Sequence, residues 1–170
     1  MAHEWIETLA QDIKQRNREA AQEYGRAQHS AGIISTLGKE FFVATGTCLR
    51  ENVDALRGQL QGDPTSADMR FEIVKPDEVK ILRARFPWVD AQLTHHEDTI
   101  TLDYARALGV AGDPALDRKS RIFAFRVAAD DTLYIEDGFV EPPQQYRQPG
   151  DLARHIIEIL FGPERSNGSR

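Results

Sequence analysis

Cysteine is scarce in this chain of 170 residues, which contains one, and proline is absent from its first 60 residues. With Cys48 alone, no disulfide can form within the chain, and a chain of this length can bury a hydrophobic core without one. The first proline is Pro64, so no proline interrupts a helix over the first 60 residues. A lone cysteine at an apolar helical position indicates a reducing compartment, and we expect a cytoplasmic protein.

Long apolar runs are absent as well. No stretch approaches the roughly 18 apolar residues of a membrane-spanning helix. The first ten residues include Glu4 and Glu7 and lack the apolar segment of a signal peptide. We therefore expect no membrane partner and no secretion signal.

The charge is moderately acidic, with 21 Lys and Arg against 27 Asp and Glu and a net charge of -6. Residues 1–62 are nearly balanced, so the excess lies in the remainder of the chain. An acidic protein repels phosphate backbones, and we expect no nucleic-acid partner.

An apolar or small residue returns every seven positions through the first 55 residues: Ile6, Ile13, Ala20, Ala27, Ile34, Phe41, Cys48 and Ala55. This period is typical of helices that pack lengthwise on other helices. Ser30 and Gly32 are poor helix formers, and Ser30 is a good N-cap. The sequence therefore predicts a break near residues 28–32 and a helical hairpin over residues 1–62.

The same series predicts self-association through residues 1–62, which makes a homo-oligomer the expected state. The residues predicted to mediate it are Ile6, Ile13, Ile34 and Phe41. Whether these helices pack on their own sheet or on a second copy stays open at this level.

Beyond the turn formers of residues 62–67, the apolar period changes from about 3.6 to 2. Alternating segments around residues 71–86, 92–104 and 121–137 predict three hairpins, with turns at 76–77, 95–98 and 129–131. Short links cannot carry parallel crossovers, so we expect an antiparallel meander of five to six strands. An apolar stripe over residues 148–161 predicts a covering helix, with 163–170 as a frayed tail.

These elements define an α+β fold in two parts, a helical region of residues 1–62 and a sheet domain of residues 63–162. In element order and acidity the chain resembles the small secretion chaperones of the type III class. The resemblance covers topology and no diagnostic residue, and it implies a chaperone-like or adaptor-like role.

Catalytic and metal-binding motifs are not found. The densest group of candidate ligands is His95, His96, Glu97 and Asp98, but neighbouring side chains on an extended chain point to opposite faces. No HExxH, CxxC, GxSxG, GxGxxG or P-loop pattern is present. The sequence therefore predicts no catalytic residue, no cofactor and no metal site.

Aromatic and basic side chains near the strands supply candidate interaction residues: Trp88, Phe86, Tyr146, Phe139, Arg83 and Arg85. Aromatic rings beside proline can form rigid docking surfaces. The competing interpretation is that the rings complete the core and that the arginines pair across the sheet.

Two functions from different classes follow. The first is a non-enzymatic interaction protein that self-associates through its N-terminal helices and binds a protein partner with its sheet domain. The second is a small enzyme or ligand sensor with a pocket between sheet and helices, for which His95, His96 and Asp103 are the available polar groups.

Overall fold

The computed structural model describes residues 4–62, 68–84, 88–107 and 118–163. It contains two helices and seven strands in the order α1 (Glu4–Gln59), β1 (Met69–Lys75), β2 (Glu78–Arg83), β3 (Trp88–His95), β4 (Thr99–Ala107), β5 (Arg118–Val127), β6 (Leu133–Asp137), β7 (Gln144–Tyr146) and α2 (Pro149–Phe161). The α+β class is confirmed.

The predicted helical hairpin is wrong, because α1 runs without interruption through residues 28–32. Gly32 faces open space, and the Thr36 hydroxyl donates to its carbonyl at 2.9 Å. A glycine in a helix interior costs about 0.5–1 kcal/mol relative to alanine. That cost is smaller than the gain from extending a helix whose following turns pack on the sheet.

The seven strands form one antiparallel sheet in which each strand pairs with its neighbour in sequence. The three predicted hairpins are present, and the turn before β6 contains Asp131 with a φ of 62°, a left-handed conformation that aspartate tolerates. The seventh strand, β7, is one more than the sequence predicted. Residues 85–87 and 108–117 lie outside the described ranges.

One face of the sheet carries the core. Its inward side chains alternate along every central strand, as in Val79 and Ile81 of β2 or Leu102 and Tyr104 of β4. The C-terminal half of α1 and the whole of α2 cover this face and pack against each other. The opposite face of the central strands carries mainly polar, half-buried side chains and no helix of the described chain.

The covering helix α2 begins at Pro149, as Pro is suited to the first helical position. Leu152, Ile156 and Leu160 are fully buried on its inner side. At its other end Arg106 of β4 donates to the carbonyl oxygens of Ile159 and Gly162, the latter at 2.9 Å. These contacts fix the last turn of α2 to the sheet.

Candidate functional site

The first half of α1 extends beyond the sheet. Every residue from Trp5 to His29 is exposed. From Ser30 onward the side chains on one face of α1 become covered, and Phe42 is only 1% exposed. His29 marks the boundary, because its Nε2 lies 3.0 Å from Asp131 Oδ1 in the turn between β5 and β6. We call residues 5–29 the projecting half; at 1.5 Å per residue it is about 36 Å long.

The projecting half exposes large apolar side chains. Their exposed fractions are Trp5 64%, Ile6 45%, Leu9 47%, Ile13 48% and Tyr24 66%. We call these residues, together with Ala20 and Ala27, the N-terminal stripe. Single exposed apolar residues are ordinary on protein surfaces, whereas a contiguous apolar surface marks an interaction site.

The N-terminal stripe is in line with the face of α1 that the sheet covers. Thirty-six residues, or about ten turns of a helix with 3.6 residues per turn, separate three exposed residues from three buried ones. The pairs are Ile6 with Phe42, Leu9 with Thr45, and Ile13 with Leu49. One continuous helical face is therefore covered by the protein's own sheet along one half and uncovered along the other.

The residues predicted to mediate self-association divide at the same boundary. Ile6 and Ile13 are exposed in the projecting half. Ile34 is half-buried against the core, and Phe41 is buried, with its ring meeting Phe125 edge to face at a centroid distance of 6.1 Å. The seven-residue series therefore serves packing within the chain from Ile34 to Cys48, whereas its members in the projecting half are exposed.

The predicted interaction residues are not brought into one surface. Phe139 is 62% exposed after β6, and Trp88 is half-buried at the start of β3. Arg83 is buried at the end of β2, and Tyr146 of β7 is buried with its ring stacked on His155 at 5.0 Å. Arg85 and Phe86 lie outside the described residues.

A buried ionic cluster links the sheet to α2. Asp137 at the end of β6 is 0% exposed, and Arg121 of β5 approaches its Oδ2 at 2.9 Å. His155 of α2 contacts the same oxygen through Nε2 at 3.2 Å, and the Phe139 backbone N–H donates to Oδ1 at 3.0 Å. The carboxylate thus accepts from two side chains and one backbone group.

The electrostatics of Asp137 favour its ionised form. Burial alone would raise its pKa, but hydrogen bonds from His155 and Phe139 and the positive charge of Arg121 outweigh burial and lower the pKa below its usual value. An ionised, fully enclosed carboxylate between a sheet and a helix is suited to joining the two. It has no exposed surface through which to meet a substrate.

The sequence contained a signal for this cluster. Leu133, Ile135 and Asp137 alternate along β6, so the carboxylate belongs to the same inward face as the two apolar residues. A charged residue on an inward face requires a partner, since burying an unpaired charge is costly. Sequence analysis alone did not identify Arg121 or His155 as that partner.

The polar groups named for an enzyme or sensor are placed apart. His95 lies on the inward face of the sheet between the rings of Phe42 and Phe125, at centroid distances of 5.5 and 5.7 Å. Asp103 pairs with Gln92 on the opposite face, and His96 is exposed in the turn.

The burial of His95 in the core explains its lowered pKa. Burial is the main cause that lowers its pKa, and the nearby Asp77 carboxylate only partly opposes it. The neutral ring is therefore favoured, as expected for an imidazole packed between two phenylalanines.

Within the ranges that the structure describes, no three His, Cys, Asp or Glu side chains are grouped so as to hold a metal ion. The described part of the chain also contains no helix with a stretch long and apolar enough to cross a bilayer. Comparison with protein-family models, curated proteins and solved structures gave no match to this chain.

Proposed function

We propose that this protein is a non-enzymatic, cytoplasmic interaction module that self-associates through the projecting half of α1 and binds a protein partner with its sheet domain. The observation that carries the first part is the uncovered N-terminal stripe. It continues a helical face that elsewhere is buried, over about 36 Å of helix, and ends where the sheet begins.

The energetics favour covering this stripe. Full burial of a leucine or isoleucine side chain contributes about 1.5–3 kcal/mol. Most helical stability in proteins comes from packing of an apolar face, and the projecting half lacks such packing before His29. Self-association removes the apolar surface of the stripe from water and stabilises the projecting half as a helix at the same time.

Charge substitutions on the stripe test self-association. We expect the double variant Leu9→Lys, Ile13→Lys to be a monomer at micromolar concentration, because two ammonium groups would have to be buried in the contact. The parent chain is expected to elute as a larger species of constant mass. Size-exclusion chromatography with light scattering measures both.

The matched control is the double variant Gln11→Lys, Gln22→Lys, which adds the same charge on the opposite side of the same helix. Gln11 and Gln22 are exposed, and the substitutions leave the stripe intact. We expect this control to retain the parent mass. A monomeric parent, or a control that dissociates as completely as the stripe variant, contradicts the proposal.

Binding of a partner by the sheet domain is supported by two surfaces. The outer face of the sheet carries no helix of the described chain, and β1 is an edge strand with Ile73 59% and Val74 44% exposed. The second surface lies toward the other end of the strand order, where Phe139 after β6 presents an exposed ring over which the Arg121 guanidinium lies at 5.9 Å. Exposed rings and unpaired strand edges are recurrent docking features.

A Phe139→Ala variant tests this second part. We expect affinity capture from the native host to recover a protein with the parent chain and to lose it with the variant, at unchanged melting temperature. Val43→Ala is the control, since Val43 is 53% exposed on α1. Equal recovery by all three chains removes Phe139 from the proposed surface.

A further inference from the structure

We infer that the occupant of the N-terminal stripe is a second copy of this chain that runs antiparallel to the first. In this arrangement Ile6 of each copy lies opposite Ala27 of the other, and Ile13 lies opposite Ala20. The two sheet domains are then at opposite ends of the paired helices. The inference rests on the proposed self-association and adds its direction and register.

The position of the sheet excludes the parallel alternative. The sheet covers the same face of α1 to which the stripe belongs, starting at about residue 30. A parallel second helix lying on the stripe would continue along that face and enter the space filled by β5 and β6. Its own sheet would meet the first helix in the same way.

An antiparallel second helix avoids this collision. The first residues of its described helix, 4 and 5, lie opposite residues 29 and 28 of the first copy, where His29 contacts Asp131 and the sheet begins. Its C-terminal half, with its own sheet, lies beyond the N-terminus of the first copy. The 25 exposed residues are therefore the stretch over which two copies can pair without contact between one copy's α1 and the other's sheet.

Side-chain size also favours the antiparallel direction. Four of the five large apolar residues of the stripe lie in the first part of the projecting half (Trp5, Ile6, Leu9 and Ile13), and the second part carries two alanines and Tyr24 (Ala20, Tyr24 and Ala27). Antiparallel pairing places Ile6 and Ile13 against alanines, and Leu9 against Tyr24. Parallel pairing would place isoleucine on isoleucine at one end and alanine on alanine at the other. The distance between two packed helices depends on the size of the side chains at the contact, so the two ends of a parallel pair would require different distances.

The charged residues at the edge of the stripe also favour the antiparallel direction. Parallel pairing would place Arg16 against Arg16 and Glu23 against Glu23, which are like-charge contacts. In the antiparallel register the two-fold axis falls between residues 16 and 17. Glu19 of the second copy is then only about 3 Å along the axis from the point opposite Arg16, within reach of its guanidinium.

Spin-label distances test the direction of pairing in the full chain carrying Cys48→Ala. One sample carries Lys14→Cys and the other Arg26→Cys, two exposed positions on the flanks of the helix away from the stripe. In the antiparallel pair the two labels are offset along the axis by about 8 Å for residue 14 and about 28 Å for residue 26. We expect pulsed electron paramagnetic resonance to give a distance longer by more than about 10 Å for residue 26.

The other outcomes separate the two proposals. Equal distances for both positions would show a parallel pair and overturn this inference, while leaving self-association in place. Loss of any dipolar signal in both samples, with each labelled chain folded by circular dichroism, would overturn the self-association on which the inference depends.

Discussion

Asp137→Ala is expected to lower the free energy of unfolding by about 3–5 kcal/mol, the usual cost of removing one partner of a buried ion pair. The substitution leaves Arg121, only 17% exposed, without its carboxylate, and it removes the acceptor for His155 and for the Phe139 N–H. Since domains are stable by about 5–15 kcal/mol in total, a large part of the folding free energy is at stake. Urea denaturation measures it.

An exposed ion pair provides the control. Asp90 meets Arg118 at 3.0 Å on the outer side of the sheet, and both side chains are partly exposed. Pairs of this kind contribute about 0–1 kcal/mol, so Asp90→Ala should change stability little. Equal losses for the two variants would contradict the role assigned to Asp137 as the link between sheet and α2.

The same carboxylate predicts a pH dependence. Its pKa is lower in the folded chain than in the unfolded chain, so folding favours its ionised form. That contribution is fully present above the unfolded value of about 3.9 and is lost as the pH falls through the folded value. Asp137→Asn should therefore lose less stability than the parent between neutral pH and pH 3.

Removal of residues 1–28 should leave a folded chain that cannot self-associate. Residues 5–28 are all exposed and none of them belongs to the core, and the part of α1 that covers the sheet is retained. We expect the shortened chain to unfold cooperatively with a midpoint independent of protein concentration. The full chain should show a midpoint that rises with concentration, because association stabilises the folded state by mass action.

A matching circular dichroism measurement checks the same variant. The shortened chain should lose helical signal in proportion to the missing turns and should keep its cooperative transition. A shortened chain that fails to fold would show that the projecting half contributes to the core. A full chain with a concentration-independent midpoint would show that it does not self-associate.

Most of the fold could be predicted from the sequence, because the patterns that indicate strands and helices are formed by residues close together in the chain. Strands alternate in apolar character because one face of the sheet is buried, and this made the three hairpins visible. β7 was missed because it is three residues long and follows Pro142 and Pro143, which indicate a spacer. The hairpin in α1 was predicted from Ser30 and Gly32, whose weak helix propensity is overridden by the packing of the turns that follow.

The candidate site was predictable only in part. The seven-residue series identified Ile6 and Ile13 as contact residues, and it continued unchanged into Ile34 and Phe41. Nothing in that series marks residue 30 as the point where the sheet begins to cover the helix. That division follows from the position of β5 and β6, which depends on long-range pairing and is not encoded in the period.

Amide hydrogen exchange at two protein concentrations tests the central claim most directly. If the projecting half pairs with a second copy, protection of residues 5–29 rises with protein concentration, whereas protection of residues 42–59 on the sheet stays constant. Equal protection of residues 5–29 at nanomolar and high micromolar concentration would contradict the claim that their apolar stripe is covered by a second molecule of this chain.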